Sequence, residues 1–193
     1  MNTGTPGRDT EALYGAFVDN SRALGAEVYR AGDPAAAREL IERLVRETGA
    51  REVAVASAPL LDALEAEKAV TAAGAVVATG SVRERAVRAG LGITAFELAI
   101  AATGTLVQDA TALDRRLVSM LPPVHLAVVP LSGLRADLRE VMAELAERQM
   151  PGYLALVSGP SRTADIERVL TIGVHGPGRL MVVFVDGEGG RVP

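Results

Sequence analysis

Five short apolar runs limit what this chain can fold into: residues 53–56 (VAVA), 75–78 (AVVA), 124–129 (VHLAVV), 154–157 (LALV) and 180–185 (LMVVFV). Each is too short for a helix core, and none shows the apolar–polar alternation of a strand that is wet on one side. Such runs are strands covered on both faces. Amphipathic segments lie between them, and an alternation of buried strands with helices specifies a parallel sheet sandwiched by helices. The expectation is therefore α/β, in three layers, with a largely parallel sheet and helices on both faces. Composition agrees: 49% of residues are hydrophobic but only 3% aromatic, so the core is built from Ala, Val, Leu and Ile.

The helical signals are local. Asp33 precedes Pro34 as N-cap and first-turn proline; Ala37, Leu40, Ile41, Leu44 and Val45 follow at helical spacing, and Gly49 closes the segment. A helix is expected from Asp9, carrying Leu13, Phe17 and Leu24, until residues 30–34 interrupt it. Further helices are expected at 60–69 and 82–89, at 95–102 behind a Thr94 cap, and after Ser132 with Leu134, Leu138, Val141, Met142 and Leu145 on one face. Residues 103–105 turn the chain into Leu106 and Val107, and 108–114 read as a polar excursion at the sheet's rim. Residues 1–8 read as a disordered start, 9–186 as a single domain and 187–193 as a flexible tail.

Charge and cysteine usage exclude several functions. The net charge is −4, and the 20 basic residues, all arginine except Lys68, form no block that would track a phosphate backbone. Nucleic acid is not an expected partner. With no cysteine there is neither a thiol nucleophile nor a cysteine-ligated iron–sulfur cluster within these residues. No apolar stretch is long enough to span a membrane and no secretory leader is visible, which points to the cytoplasm. Walker, G-x-G-x-x-G and G-x-S-x-G patterns are absent. Lys68 reads as a solvated helix residue and not as a Schiff-base lysine.

The richest stretch for chemistry is 153–177. The run at 154–157 ends in Ser158-Gly159-Pro160; Ser161, Arg162 and Thr163 then lead into Ile166, Val169 and Leu170 at helical spacing. A strand, a tight loop and a helix start present unpaired N–H groups to an anion. Arg162 adds a guanidinium, either for a carboxylate or phosphate or for a structural pair with Asp165. A second turn, Gly173-Val174-His175-Gly176-Pro177, follows. His175, in that glycine loop, is a candidate acid–base group, whereas His125, inside an apolar run, reads as a buried neutral imidazole. Thr103, Gly104 and Thr105 make a third loop with hydroxyls and N–H groups. Two histidines without clustered carboxylates make no metal site. The three loops are expected to converge on a cleft for a small anion, lined by Thr103, Gly104, Thr105, Ser158, Gly159, Ser161, Arg162, Thr163 and Gly176.

SGPSRTADIE followed by GVHGP, with AIAATGTLV at 99–107 and RRLVSMLPPVHLAVVP at 115–130 ahead of them, closely resembles the lactate utilization protein C family of LUD-domain proteins. The resemblance covers residues 90–186. It implies a fold like the NagB/RpiA/CoA-transferase group and a component of a cytoplasmic system oxidising L-lactate to pyruvate. It also implies iron–sulfur partner proteins that carry the clusters this chain lacks. The wider fold group implies an alternative, a stand-alone enzyme or binder for a phosphorylated or CoA-linked carboxylate; a regulatory module binding a small anion is a third. Where the family carries glutamate before Thr-Gly-Thr, this chain has Ala102, and Glu97 is the nearby carboxylate to which that role would pass.

Overall fold

The computed structural model describes residues 6–148, 150–163, 171–172 and 176–187. Helix α1 (Pro6–Ala23) begins three residues ahead of the expected start and leads into a strand that the sequence did not announce, β1 (Glu27–Ala31). Helix α2 (Pro34–Thr48) is terminated as its sequence dictates. The Asp33 carboxylate accepts from the Ala36 N–H at 2.7 Å, and Gly49 takes φ 66°, a left-handed turn that glycine adopts without strain. Strand β2 (Glu52–Val55) follows, then two short helices, α3 (Pro59–Ala63) and α4 (Ala66–Ala72), where one was expected. Next come β3 (Val76–Val77) and α5 (Val82–Arg88), the latter opened by a reciprocal Ser81–Glu84 capping box.

The chain then departs from the expected helix at 95–102. Strand β4 (Leu91–Ala95) absorbs Thr94, β5 (Leu98–Ile100) follows, and only residues 101–103 coil, in a 3-10 turn. Strand β6 (Thr105–Asp109) takes in Gln108, which is fully buried rather than at a polar rim. Helix α6 (Leu113–Met120) and strand β7 (Val124–Pro130) precede β8 (Leu134–Arg135), so the helix expected from Ser132 starts later, as α7 (Leu138–Ala146) behind an Asp137 cap. Strand β9 (Leu154–Val157), the pair β10 (Arg162–Thr163) and β11 (Thr171–Ile172), and β12 (Arg179–Val185) complete the described chain.

Six strands, in the order β1-β12-β7-β4-β2-β3 and parallel throughout, form the central sheet. Its two faces are read from the period of two along each strand. Leu91 and Ile93 of β4, Leu126 and Val128 of β7, and Met181 and Val183 of β12 pack with Ile41 and Leu44 of α2 and Leu61 of α3. Ala127, Val129, Val182 and Phe184 face the other way, against Phe17 of α1 and against Ala99 and Leu106 of a smaller sheet. Helices α5 and α6 cover the β2 end of that second face through Ala86 and Val118. The contact is close at Gly92, where a Cβ would lie 2.1 Å from the Val118 carbonyl oxygen. The three-layer α/β architecture is thus as expected, with one addition: part of one covering layer is itself a sheet, of order β8-β5-β6-β9.

That smaller sheet corrects the reading of residues 154–157. Strand β9 pairs antiparallel with β6 at the sheet's edge, and Leu156 is 48% exposed, so this run is not a doubly covered parallel strand. The helix expected to begin at 163 is corrected too, because Arg162 and Thr163 pair antiparallel with Ile172 and Thr171. Ile166, Val169 and Leu170 lie outside the described residues. No described helix is long and apolar enough to cross a membrane.

Candidate functional site

A parallel sheet opens a crevice beyond the carboxyl ends of its strands where neighbouring chain exits diverge to opposite faces. Strands β2 and β4 are hydrogen-bonded neighbours here, and their exits diverge. β2 leads into α3, on the first face; β4 leads into β5, in the small sheet on the second. At that divergence lies a cavity of about 320 Å³. Ala58, Pro59 and Leu60 after β2, residues 95–98 at the end of β4 and beyond, and Pro130, Ser132 and Gly133 at the end of β7 and beyond form its floor and one wall. Arg115 of α6, Arg135 of β8, Glu144 of α7 and Arg148 complete it. The loops after β4 and β7 press together: a Cβ on Gly133 would stand 2.3 Å from the Glu97 carbonyl oxygen, so this position has room only for glycine.

Glu97 is half-buried, and both of its carboxylate oxygens are engaged. Oε1 accepts from Arg115 Nη1 at 2.5 Å and Oε2 accepts from the Asp109 N–H at 2.9 Å. Arg115 Nη1 also donates to the Asp109 carbonyl at 3.0 Å. The side-chain amide of the buried Gln108 donates to the Ala95 carbonyl at 2.7 Å, pinning the end of β4 to β6. Across the cavity Arg135 donates through Nε to Glu144 at 2.7 Å and through Nη1 to the carbonyls of Ser132 and Leu134; Glu144 also pairs with Arg148. Three guanidiniums against two carboxylates leave the crevice with a net positive charge. An ionic rim beside an apolar patch of Leu60, Phe96 and Leu98 is the kind of lining that small-molecule sites have.

Glu97, singled out in the sequence, thus lies in this crevice, though between two strands and not on a helix. Ala102 is exposed in the 3-10 turn and is not part of the crevice wall. Arg115, Arg135, Glu144 and Arg148 had no individual sequence signal. What they share is topological, since they follow or flank elements at the carboxyl ends of central strands.

The loops nominated in the sequence meet elsewhere, against the end of α1. Thr103 Oγ1 and Thr105 Oγ1 are 2.7 Å apart, and Thr105 Oγ1 is 2.8 Å from Ser158 Oγ, a chain of three hydroxyls. Gly104, at φ 62°, sits so close to α1 that a Cβ would be 2.5 Å from the Ser21 nitrogen. Gly159, at φ 85°, abuts the Leu24 carbonyl, and the Arg162 guanidinium donates to that same oxygen at the helix's carboxyl end, where a cation complements the dipole. The Ser161 N–H donates to the Pro177 carbonyl at 2.9 Å, with Gly176 beside Ser161. Thr163 is in β10. Thr103, Gly104, Thr105, Ser158, Gly159, Ser161, Arg162 and Gly176 are therefore neighbours along these loops, but none lines the crevice. His175 and Asp165 lie outside the described residues.

His125 is buried and its Nε2 is 2.8 Å from Thr94 Oγ1, with the Phe96 ring 5.8 Å from its own. Burial pushes the imidazole down to about 4, so it is the neutral core histidine expected from its place in an apolar strand. Among the described residues no three acidic, His or Cys side chains gather as a metal-binding group.

Residues 14–185 match the protein family described as the LUD domain. Over 108 residues the chain is 40% identical to Lactate utilization protein C of Exiguobacterium sp. and 36% identical to that of Halalkalibacterium halodurans, in each case 53% of this chain and 47% of the relative. The chain thus spans about half the length of the curated relatives it matches. A crystal structure of a DUF162 family protein from Deinococcus radiodurans superposes with a TM-score of 0.66 and 25% identity, covering 91% of this chain and 98% of that one.

Proposed function

The chain belongs to the LUD-domain family, and from that premise we propose that it serves in lactate utilization, as a component of a cytoplasmic system that oxidises L-lactate to pyruvate beside iron–sulfur partner proteins. The observation that carries this reading is the kinship with proteins named Lactate utilization protein C. Oxidation of a hydroxyl to a ketone releases an electron pair that must be carried away. These 193 residues contain no cysteine to ligate a cluster, so on this reading the iron–sulfur clusters belong to partner chains. The contribution of this chain is the crevice, a net-positive site for a small anionic ligand.

A second reading, a stand-alone enzyme acting on a phosphorylated or CoA-linked carboxylate, has one observation in its favour: a carboxylate, Glu97, in the crevice. Against it, both Glu97 oxygens are already hydrogen-bonded, an arrangement that favours an orienting acceptor over a nucleophile. Deleting the gene from its native host tests the first reading. Growth on L-lactate as sole carbon source should be lost, growth on pyruvate kept, and the chain supplied in trans should restore the former. Undiminished growth on L-lactate would overturn it. Turnover of an acyl-CoA or a phosphosugar by the purified chain alone would establish the second reading instead.

A further inference from the structure

We infer that the crevice selects a monocarboxylate over dianions, and that Arg115 is the residue that grips it. The inference rests on the crevice being the ligand site, as proposed above, and adds the class of ligand. Arg115 uses only Nη1 on its protein partners, Glu97 and the Asp109 carbonyl. Its Nε and Nη2 make no hydrogen bond among the described residues, although the side chain lines the cavity and is only 15% exposed. Nε and Nη2 form the side-on edge of a guanidinium, spaced to meet the two oxygens of a planar carboxylate. Of the other cavity arginines, Arg135 is more committed and Arg148 is less enclosed. Arg135 donates from Nε and Nη1 to Glu144 and two carbonyls, and Arg148 is paired with Glu144 and largely exposed.

The charge count decides between anions. Three guanidiniums and two carboxylates line the cavity, so one negative charge neutralises it and a second is in excess. That second charge would stand in a half-enclosed space with Glu97 and Glu144, where like charges repel more than in bulk water. The rest of the ligand meets Leu60, Phe96, Leu98 and Pro130, which suit hydrocarbon and offer no partner for a second anionic head. Glu97 acts here through Arg115: by holding Nη1 it fixes the plane of the guanidinium and leaves the side-on edge free. It is a positioning residue.

Isothermal titration of the purified chain with propionate, L-lactate, malonate and inorganic phosphate, at one ionic strength near pH 7, tests the inference. Propionate and L-lactate should bind at least tenfold more tightly than malonate or phosphate. Arg115→Gln should weaken propionate at least tenfold. Glu144→Gln removes one of the two carboxylates and should narrow or reverse the preference for propionate over malonate. If Arg115→Gln does not fold, the wild-type order and the Glu144→Gln shift decide the matter. Malonate or phosphate binding as tightly as propionate, no binding of any monocarboxylate, or an Arg115→Gln variant with undiminished affinity would each overturn it. These outcomes are independent of growth on L-lactate. A positive growth result with no monocarboxylate binding removes the ligand assignment and leaves the role, and the converse removes the role and leaves the ligand.

Discussion

Acid should destabilise this fold through His125 before it does so through any carboxylate. The imidazole is buried beside Thr94 and Phe96, and burial depresses it to about 4. In the unfolded chain it returns to about 6.5. Between those values the unfolded state holds a proton that the native state refuses, so stability rises with pH across the window and is lost as pH falls through it. The full displacement corresponds to about 3 kcal/mol, of which about 2 kcal/mol falls between pH 7 and pH 5. That upper part of the window is diagnostic. Glu27, held down by its bond from Arg179, and Asp109, raised by burial but lowered further by its bonds from Thr111, both lose their contribution only below their ordinary carboxylate values. His125→Gln keeps a polar group for the Thr94 hydroxyl and abolishes the titration. Urea unfolding of both proteins at pH 7 and pH 5 should show the wild type losing about 2 kcal/mol more than the variant, a sizeable part of a domain's usual ~5–15 kcal/mol. His175 is present in both proteins and cancels. Equal losses would refute the buried, neutral assignment.

Other substitutions test the packing. Gly92→Ala should lower stability by about 3 kcal/mol or more in a thermal melt, because its Cβ would meet the backbone of α6 and not a side chain that can swing away. Leu156→Asp should fold and cost no more than about 1 kcal/mol by urea titration, since β9 is a half-exposed edge. Leu126→Asp, at a fully buried position of the central sheet, should yield no soluble folded protein. Arg162→Ala should cost about 1 kcal/mol by removing the donor to the Leu24 carbonyl at the end of α1, while leaving propionate affinity in the crevice unchanged when both are measured on one preparation.

The contrast between Leu126 and Leu156 shows what sequence pattern can carry. Both sit in uninterrupted apolar runs, and a run reports that a strand is apolar, not which sheet it joins. β7 and β12 lie in the middle of the central sheet, so pattern and burial agree there. The run at 154–157 is as apolar, but its partner is β6, whose Gln108 and Asp109 read as the start of a polar excursion, and β5, which pairs with β6, was disguised as a helix by its alanine-rich AIAAT segment. Alanine favours helix when nothing else decides; here pairing of β5 with β6 and β8 overrode that preference. β1 was hidden for the opposite reason. It is an edge strand with Glu27, Tyr29 and Arg30 only partly buried, so it shows no apolar run, whereas the caps of α2 are written in adjacent residues and were legible.

The crevice was illegible for a reason that follows from its construction. Its charged groups come from the exit of β4, the first turns of α6, β8, α7 and the residues after α7, which meet only because β4 and β7 are adjacent and parallel and their exits share one edge. A local motif describes a site made by one loop, and the glycine-rich loops at 103–105 and 158–163 have that appearance. Gly104 lies against Ser21 and Gly159 against Leu24, so packing between the small sheet and the first helix accounts for these two glycines. At the crevice a single glycine, Gly133, sets the approach of two strand exits, and no neighbouring residue in sequence announces it. A Cβ at Gly133 would stand 2.3 Å from the Glu97 carbonyl, so a side chain there would have to displace the backbone of the residue whose carboxylate pairs with Arg115.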